Sequence, residues 1–177
     1  MQTLINIALA AGAANANITK VLEIKFDREF RAACEQNLCG KFGKCWMCPP
    51  DVGDIDKMIA QAKEYQNVLV FQSIGQLEDS FDIEGMEEAA KAHNTLVTTI
   101  AEKLDGVLED HLILGAGACH ICSSCTILKS QPCAHPQKAI PSLEAYGIAV
   151  SELAQASGIA YMNGTNTVTY FGGVLFG

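Results

Sequence analysis

Eight of the 177 residues are cysteines, and they fall into two blocks: Cys34, Cys39, Cys45 and Cys48 in one, Cys119, Cys122, Cys125 and Cys133 in the other. The second block reads Cys119-His-Ile-Cys122-Ser-Ser-Cys125, then seven residues, then Cys133-Ala-His135-Pro136. Two consecutive Cys-x-x-Cys steps let three thiolates converge on three corners of a [4Fe–4S] cubane while the backbone wraps one face, and the fourth ligand commonly comes from farther along. Cys133 stands where it can supply that ligand. The small residues around these cysteines, Gly115, Ala116, Gly117, Ala118, Ser123 and Ser124, allow backbone amides to approach sulfur, and such hydrogen bonds tune a reduction potential. Zinc is the competing ion because it also takes four thiolates. Two separated Cys-x-x-Cys knuckles are its commoner arrangement, so three closely spaced cysteines favour iron–sulfur chemistry. A redox dithiol needs one pair, not a run of three, and c-type haem needs a Cys-x-x-Cys-His that does not occur. The Gly115-x-Gly117 pair lacks the third glycine of a dinucleotide loop.

The first block reads Cys34-x4-Cys39-Gly40-Lys41-Phe42-Gly43-Lys44-Cys45-Trp46-Met47-Cys48-Pro49-Pro50. Four thiols within fifteen residues, two glycines that permit tight turns and a proline directly after the last cysteine again suit a metal loop. Lys41 and Lys44 read either as charges that offset a thiolate cluster or as an ordinary solvated loop. Trp46 reads either as a shield against water or as a packing residue. The histidines add little. His120 and His135 lie inside the second block as candidate ligands or supporting donors, while His93 falls in an apolar helical stripe and His111 heads a strand, both read as structural. Glu144 reads as an acidic residue in the first turn of a helix. No Ser–His–Asp set, phosphate loop or carboxylate pair is recognisable by spacing, so no catalytic residue is assigned.

An α/β framework is expected to carry these blocks. Ile18–Phe26 alternates as a strand, with Leu22, Ile24 and Phe26 on its apolar side. Asp54 is placed to cap a helix reaching Asn67, through Ile55, Met58, Ile59, Ala62 and Tyr65, and Val68–Ile74 reads as a buried strand. Ile83–Val107 carries the longest helical stripe, including Met86, His93, Leu96, Val97, Ile100 and Leu104. His111–Leu114 is a short strand. Ser142 is placed to cap a helix that is interrupted near Gly147 and ends at Gly158, and Tyr161-Met162, the turn-prone Asn163-Gly164 and Thr167–Phe176 together read as a closing hairpin or strand pair. The opening Met1–Ala16 has no basic residue before Lys20. It therefore reads as a short amphipathic helix, with Leu4, Ile5, Ala8 and Leu9 on one face and a turn at Asn15-Ala16-Asn17, not as a secretory leader. The alternation of elements without a linker predicts one domain over residues 1–177, with a mixed sheet flanked by helices and both cysteine blocks on connections that follow strands.

Composition narrows the partners. Apolar residues make up 49% and charged residues 18%, which excludes a disordered or low-complexity chain. Twelve Lys and Arg against 20 Asp and Glu give a net charge of −8, unsuited to nucleic acid and suited to a basic protein partner. No apolar run reaches the ~18 residues of a membrane span. A chain this long does not need disulfides to fold, so the thiols are expected to stay free for metal in a reducing cytoplasm.

The blocks Cys34-x4-Cys39-Gly40-x-x-Gly43-Lys44-x-Trp46-x-Cys48-Pro49-Pro50, Gly117-x-Cys119-x-x-Cys122-x-x-Cys125, Pro132-Cys133-x-His135-Pro136 and Pro141-Ser142-x-Glu144-Ala145-x-Gly147-Ile148 occur in order over about two thirds of the chain. Together they resemble the predicted metal-binding proteins known as domain of unknown function 2284, reported mostly from anaerobic bacteria and archaea. The resemblance implies a bound metal and no particular reaction. It also implies that Cys34, Cys39 and Cys48 are the essential trio, because the family pattern has a small polar residue where this chain has Cys45. Two complete four-thiolate sites, two clusters of which one has a non-cysteine ligand or open iron, one cluster beside one zinc, and ligands exchanged between the two blocks are all compatible with that count. The expectation is an iron–sulfur protein carrying one or two [4Fe–4S] clusters and passing electrons to a redox protein partner. A zinc-stapled interaction module and an enzyme or activator built on an open iron are the alternatives.

Overall fold

From Val68 to Gln72 every residue is buried, and the remaining elements are arranged around this segment. The computed structural model describes all 177 residues. The segment belongs to strand β2 (Asn67–Gln76), flanked on one side by β1 (Asn15–Lys20) and on the other by β4 (Thr167–Phe176), which in turn pairs with β3 (His111–Leu114). Successive side chains of a strand point to opposite faces. Val68 and Val70 accordingly join one apolar core while Leu69 and Phe71 join another. The first core is completed by α3 (Ile55–Ala62), a 3-10 turn at Glu144–Tyr146 and α5 (Val150–Ser157), through Met58, Ala62, Tyr146, Leu153 and Ala154. The second is completed by α1 (Gln2–Ala11) and α4 (Ile83–Leu104), through Leu4, Ala8, Leu96, Val97, Ile100 and Leu104. The fold is α/β, with helices on both faces of a four-stranded sheet.

Every strand pairing is antiparallel, not mixed as expected. A continuous apolar run such as Val68–Phe71 reports only that both faces are covered, and here antiparallel strands are covered twice over. The long pairing of β2 with β4 sets Phe71 opposite Gly172, where a Cβ would lie 2.3 Å from the Phe71 ring. A glycine is therefore what lets that ring lie flat on the sheet.

The apolar stripe of α4, the Asp54 cap of α3 and the Gly158 end of α5 stand as expected. Asp54 accepts from the backbone of Asp56 and Lys57, and Gly158 is left-handed. Ser142 Oγ accepts from Ala145 N at 3.1 Å, and Gly147, also left-handed, separates the 3-10 turn from α5. Other boundaries differ, and α3 ends at Ala62, short of Asn67, which already opens β2. The helix α1 ends at a left-handed Gly12, and Asn15–Asn17 already lie in β1. That strand stops at Lys20 and gives way to a 3-10 turn at Val21–Glu23, which buries Val21 and leaves Leu22 86% exposed. The C-terminal segment is one strand inserted between β2 and β3, not a hairpin.

Candidate metal centre

The second cysteine block hangs from the sheet by a pinched base. After β3, Gly115 N donates to Pro141 O at 2.9 Å and Leu143 N donates to Gly115 O at 3.0 Å, so residues 116–140 leave and return at one point. The first block is not a direct continuation of a strand. Cys34 sits in a short helix, α2 (Phe30–Glu35), and the chain on either side is tied down. Asp27 N donates to Gly147 O at 2.6 Å, and the Arg31 guanidinium donates to Gly53 O at 2.9 Å and Ala145 O at 3.4 Å. The two blocks meet directly where the Trp46 indole N–H donates to Gln131 O at 3.1 Å.

Two cavities result. One, of about 180 Å³, is walled by Cys119, Cys122, Cys125 and Cys133 together with Cys45. The other, of about 420 Å³, is walled by Cys34, Cys39 and Cys48. Lys41, Met47 and Ala118 line both, so the cavities share a partition. Cys45, placed by sequence in the first block, lines the cavity of the second block. An exchange of ligands between the blocks was one of the arrangements the cysteine count left open, and the chain order alone does not say that Cys45 is the one exchanged.

All eight thiols are free, and none forms a disulfide. Ionisation is shifted toward the thiolate at Cys45 and toward the neutral thiol at Cys34, Cys48 and Cys119. Cys45 is drawn down to about 6, first by a hydrogen bond from the Cys48 thiol, and then by the backbone N–H groups of Met47 and Cys119, against the opposing effect of burial. Cys48, the donor, is pushed up by the same bond and by burial. Burial raises Cys119, although backbone N–H groups of Ile121 and Ile140 favour its ionised form. Burial also raises Cys34, with Arg31 working in the opposite direction. Thiolates with backbone N–H groups aimed at them are the donor set of zinc and of iron–sulfur clusters alike. No group of three or more His, Cys, Asp or Glu side chains is already drawn together as a metal-ligand set.

The histidines separate. The exposed His135 is on the cavity of the four-cysteine block, and His120 is on the other, its basicity lowered by burial and by Lys41. His111 lines neither. His93 and Glu144, both read from sequence as structural, lie on the wall of the three-cysteine cavity, as does Tyr170. Their signal in the sequence was faint: one imidazole interrupting the apolar stripe of α4, and one carboxylate following a capping serine.

A family model described as "Predicted metal-binding protein (DUF2284)" matches residues 17–176. The chain belongs to this family. The family is described as metal-binding, and the match extends beyond the cysteine blocks to take in β2, β3, β4 and most of β1. No curated protein and no solved structure matches the chain. No helix is long and apolar enough to cross a membrane.

Proposed function

We propose that the chain is an iron–sulfur protein whose four-cysteine loop holds a [4Fe–4S] cluster and whose Cys34, Cys39 and Cys48 hold a second metal centre, and that it passes single electrons to a protein partner in a reducing cytoplasm. The supporting observation is the gathering of Cys119, Cys122, Cys125 and Cys133 on one small cavity in a loop whose first three cysteines are spaced by two residues. That arrangement suits three corners of a cubane plus a fourth ligand. Bound, the cluster would supply one-electron chemistry at a low potential. The chain's own contribution is to hold the thiolates, to aim backbone N–H groups at sulfur, and to narrow solvent access with Trp46. The cavities share a wall, so electrons entering at one centre have a short route to the other. The net charge of −8 would steer a basic redox partner from a distance.

Anaerobic purification with metal analysis, visible spectra and EPR tests this reading. A brown protein that bleaches with dithionite and carries iron and acid-labile sulfide supports it. A colourless protein with stoichiometric zinc replaces it with a zinc-stapled module, in which the same thiolates contribute folding energy and no electrons.

A further inference from the structure

The block Pro141-Ser142-x-Glu144-Ala145-x-Gly147-Ile148 has no part in the function proposed above, yet it carries a carboxylate to the place where three thiols gather. Glu144 shares the wall of the larger cavity with Cys34, Cys39 and Cys48. Its neighbours Leu143 and Ala145 are buried, whereas Glu144 keeps accessible surface.

Nothing neutralises this carboxylate. The chain has two ion pairs, Lys25 with Glu152 and Arg28 with Asp56, and Glu144 is in neither. Lys41, on the same cavity, has no carboxylate partner, and Arg31 spends its donors on the carbonyls of Gly53 and Ala145. Burial therefore raises the Glu144 carboxyl, with its own N–H and the Ser142 hydroxyl working in the opposite direction. Charges in such surroundings are normally paired or coordinate a metal.

Backbone bonds bring the carboxylate to the thiols. Ser142 Oγ accepts from Ala145 N at 3.1 Å, which fixes the 3-10 turn that Glu144 opens and leaves the hydroxyl hydrogen free for the carboxylate. The bonds from Arg31 to Ala145 O and from Asp27 N to Gly147 O fasten to that turn the segment that carries Cys34. Their closeness registers electrostatically. Cys34 is raised first by burial, against Arg31, and then by the charges of Cys39 and Glu144. His120 is the other candidate ligand on this cavity. After burial, the charge of Lys41 lowers its basicity, which marks it as a poorer neighbour for a cation.

We propose that Glu144 is the fourth ligand of the metal centre at Cys34, Cys39 and Cys48, its carboxylate oxygen completing a set of three sulfurs and one oxygen. The proposal rests on the reading of that trio as a metal centre and not on which metal it holds. It answers two deficits together: the trio is one donor short of four, and the carboxylate lacks a counter-ion.

Cadmium NMR of the full chain, purified anaerobically and exchanged into Cd²⁺, tests this, because the metal resonance moves upfield when oxygen replaces a thiolate. Two resonances are expected, one at the four-thiolate position and one upfield of it. Cys34→Ser is expected to remove the upfield one. Glu144→Gln, equal in size and uncharged, is expected to shift it and to weaken cadmium at that site at least about tenfold in competition with a chelator. Glu144→Cys, which offers sulfur instead, is expected to bring it to the four-thiolate position and serves if the first variant fails to fold. His120→Gln is expected to change neither resonance. Two four-thiolate resonances in the wild type, an upfield resonance unmoved by either Glu144 variant, or one moved by His120→Gln overturns the proposal and leaves the centre standing. If Cys34→Ser removes no resonance, the trio is not a metal centre, and the reading beneath the proposal fails with it.

Discussion

The two cysteine cavities differ in what their walls leave over. Around Cys119, Cys122, Cys125 and Cys133 a small volume is bounded by the four thiols of one pinched loop and by Cys45 from the other block. Around Cys34, Cys39 and Cys48 more than twice that volume is bounded by three thiols on one side and by rings and amides carried on the sheet and α4 on the other. A loop that supplies its own ligands is suited to hold a metal. In the larger cavity part of the wall belongs to the rigid body, because His93 and Tyr170 are carried on α4 and β4.

The largest effect that separates the cavities comes from removing one thiol at a time. Cys122→Ser is expected to abolish the spectral signal and metal of the four-cysteine site and leave the other intact. Cys34→Ser is expected to do the reverse, as read by metal-to-protein ratio and EPR. Loss of both centres in either variant would merge the two sites into one.

A smaller effect isolates the imidazole. Burial pulls His93 down to about 4, against an ordinary value of 6.5. Between those values the unfolded chain binds a proton that the folded chain refuses. Stability is therefore complete above about pH 6.5 and falls as the pH drops toward 4, by up to about 3 kcal/mol. The difference in urea-unfolding free energy between wild type and His93→Gln, followed over that range, removes the acid lability of the metal thiolates common to both. A difference that stays flat with pH would mean that the imidazole is solvated and not part of a dry wall.

The smallest effect is expected at the partition. Cys45→Ser keeps a hydrogen-bonding group toward Cys48, and with Cys34, Cys39 and Cys48 as the working trio it should leave the metal content of both sites unchanged. Loss of one equivalent would make Cys45 a ligand, and the site that loses it would identify which cavity it serves.

How far these features could be read beforehand depends on the distance over which each is encoded. The stripe of α4, the Asp54 cap and the left-handed Gly147 and Gly158 rest on contacts within a few residues, and all were legible. The two-residue cysteine spacing is equally local. Strand direction was not legible, because Val68–Phe71 looks the same under parallel or antiparallel neighbours. The end of β1 was misjudged because Val21, Leu22 and Ile24 alternate imperfectly, and only the core decides that Val21 turns inward. The placement of Cys45 with the other block, and of His93 on a cavity wall, arises between segments far apart in the chain.

The pinch at Gly115 and Ser142 has a consequence for how the protein matures. Neither apolar core includes a cysteine, and backbone bonds of the sheet region alone close the ends of the four-thiol loop. The entropic cost of bringing those ends together is met by backbone bonds, so an ion has only the interior of the loop left to order. Loading can thus follow folding as a separate event, and a chain synthesised when its metal is scarce is expected to keep its architecture and remain fillable.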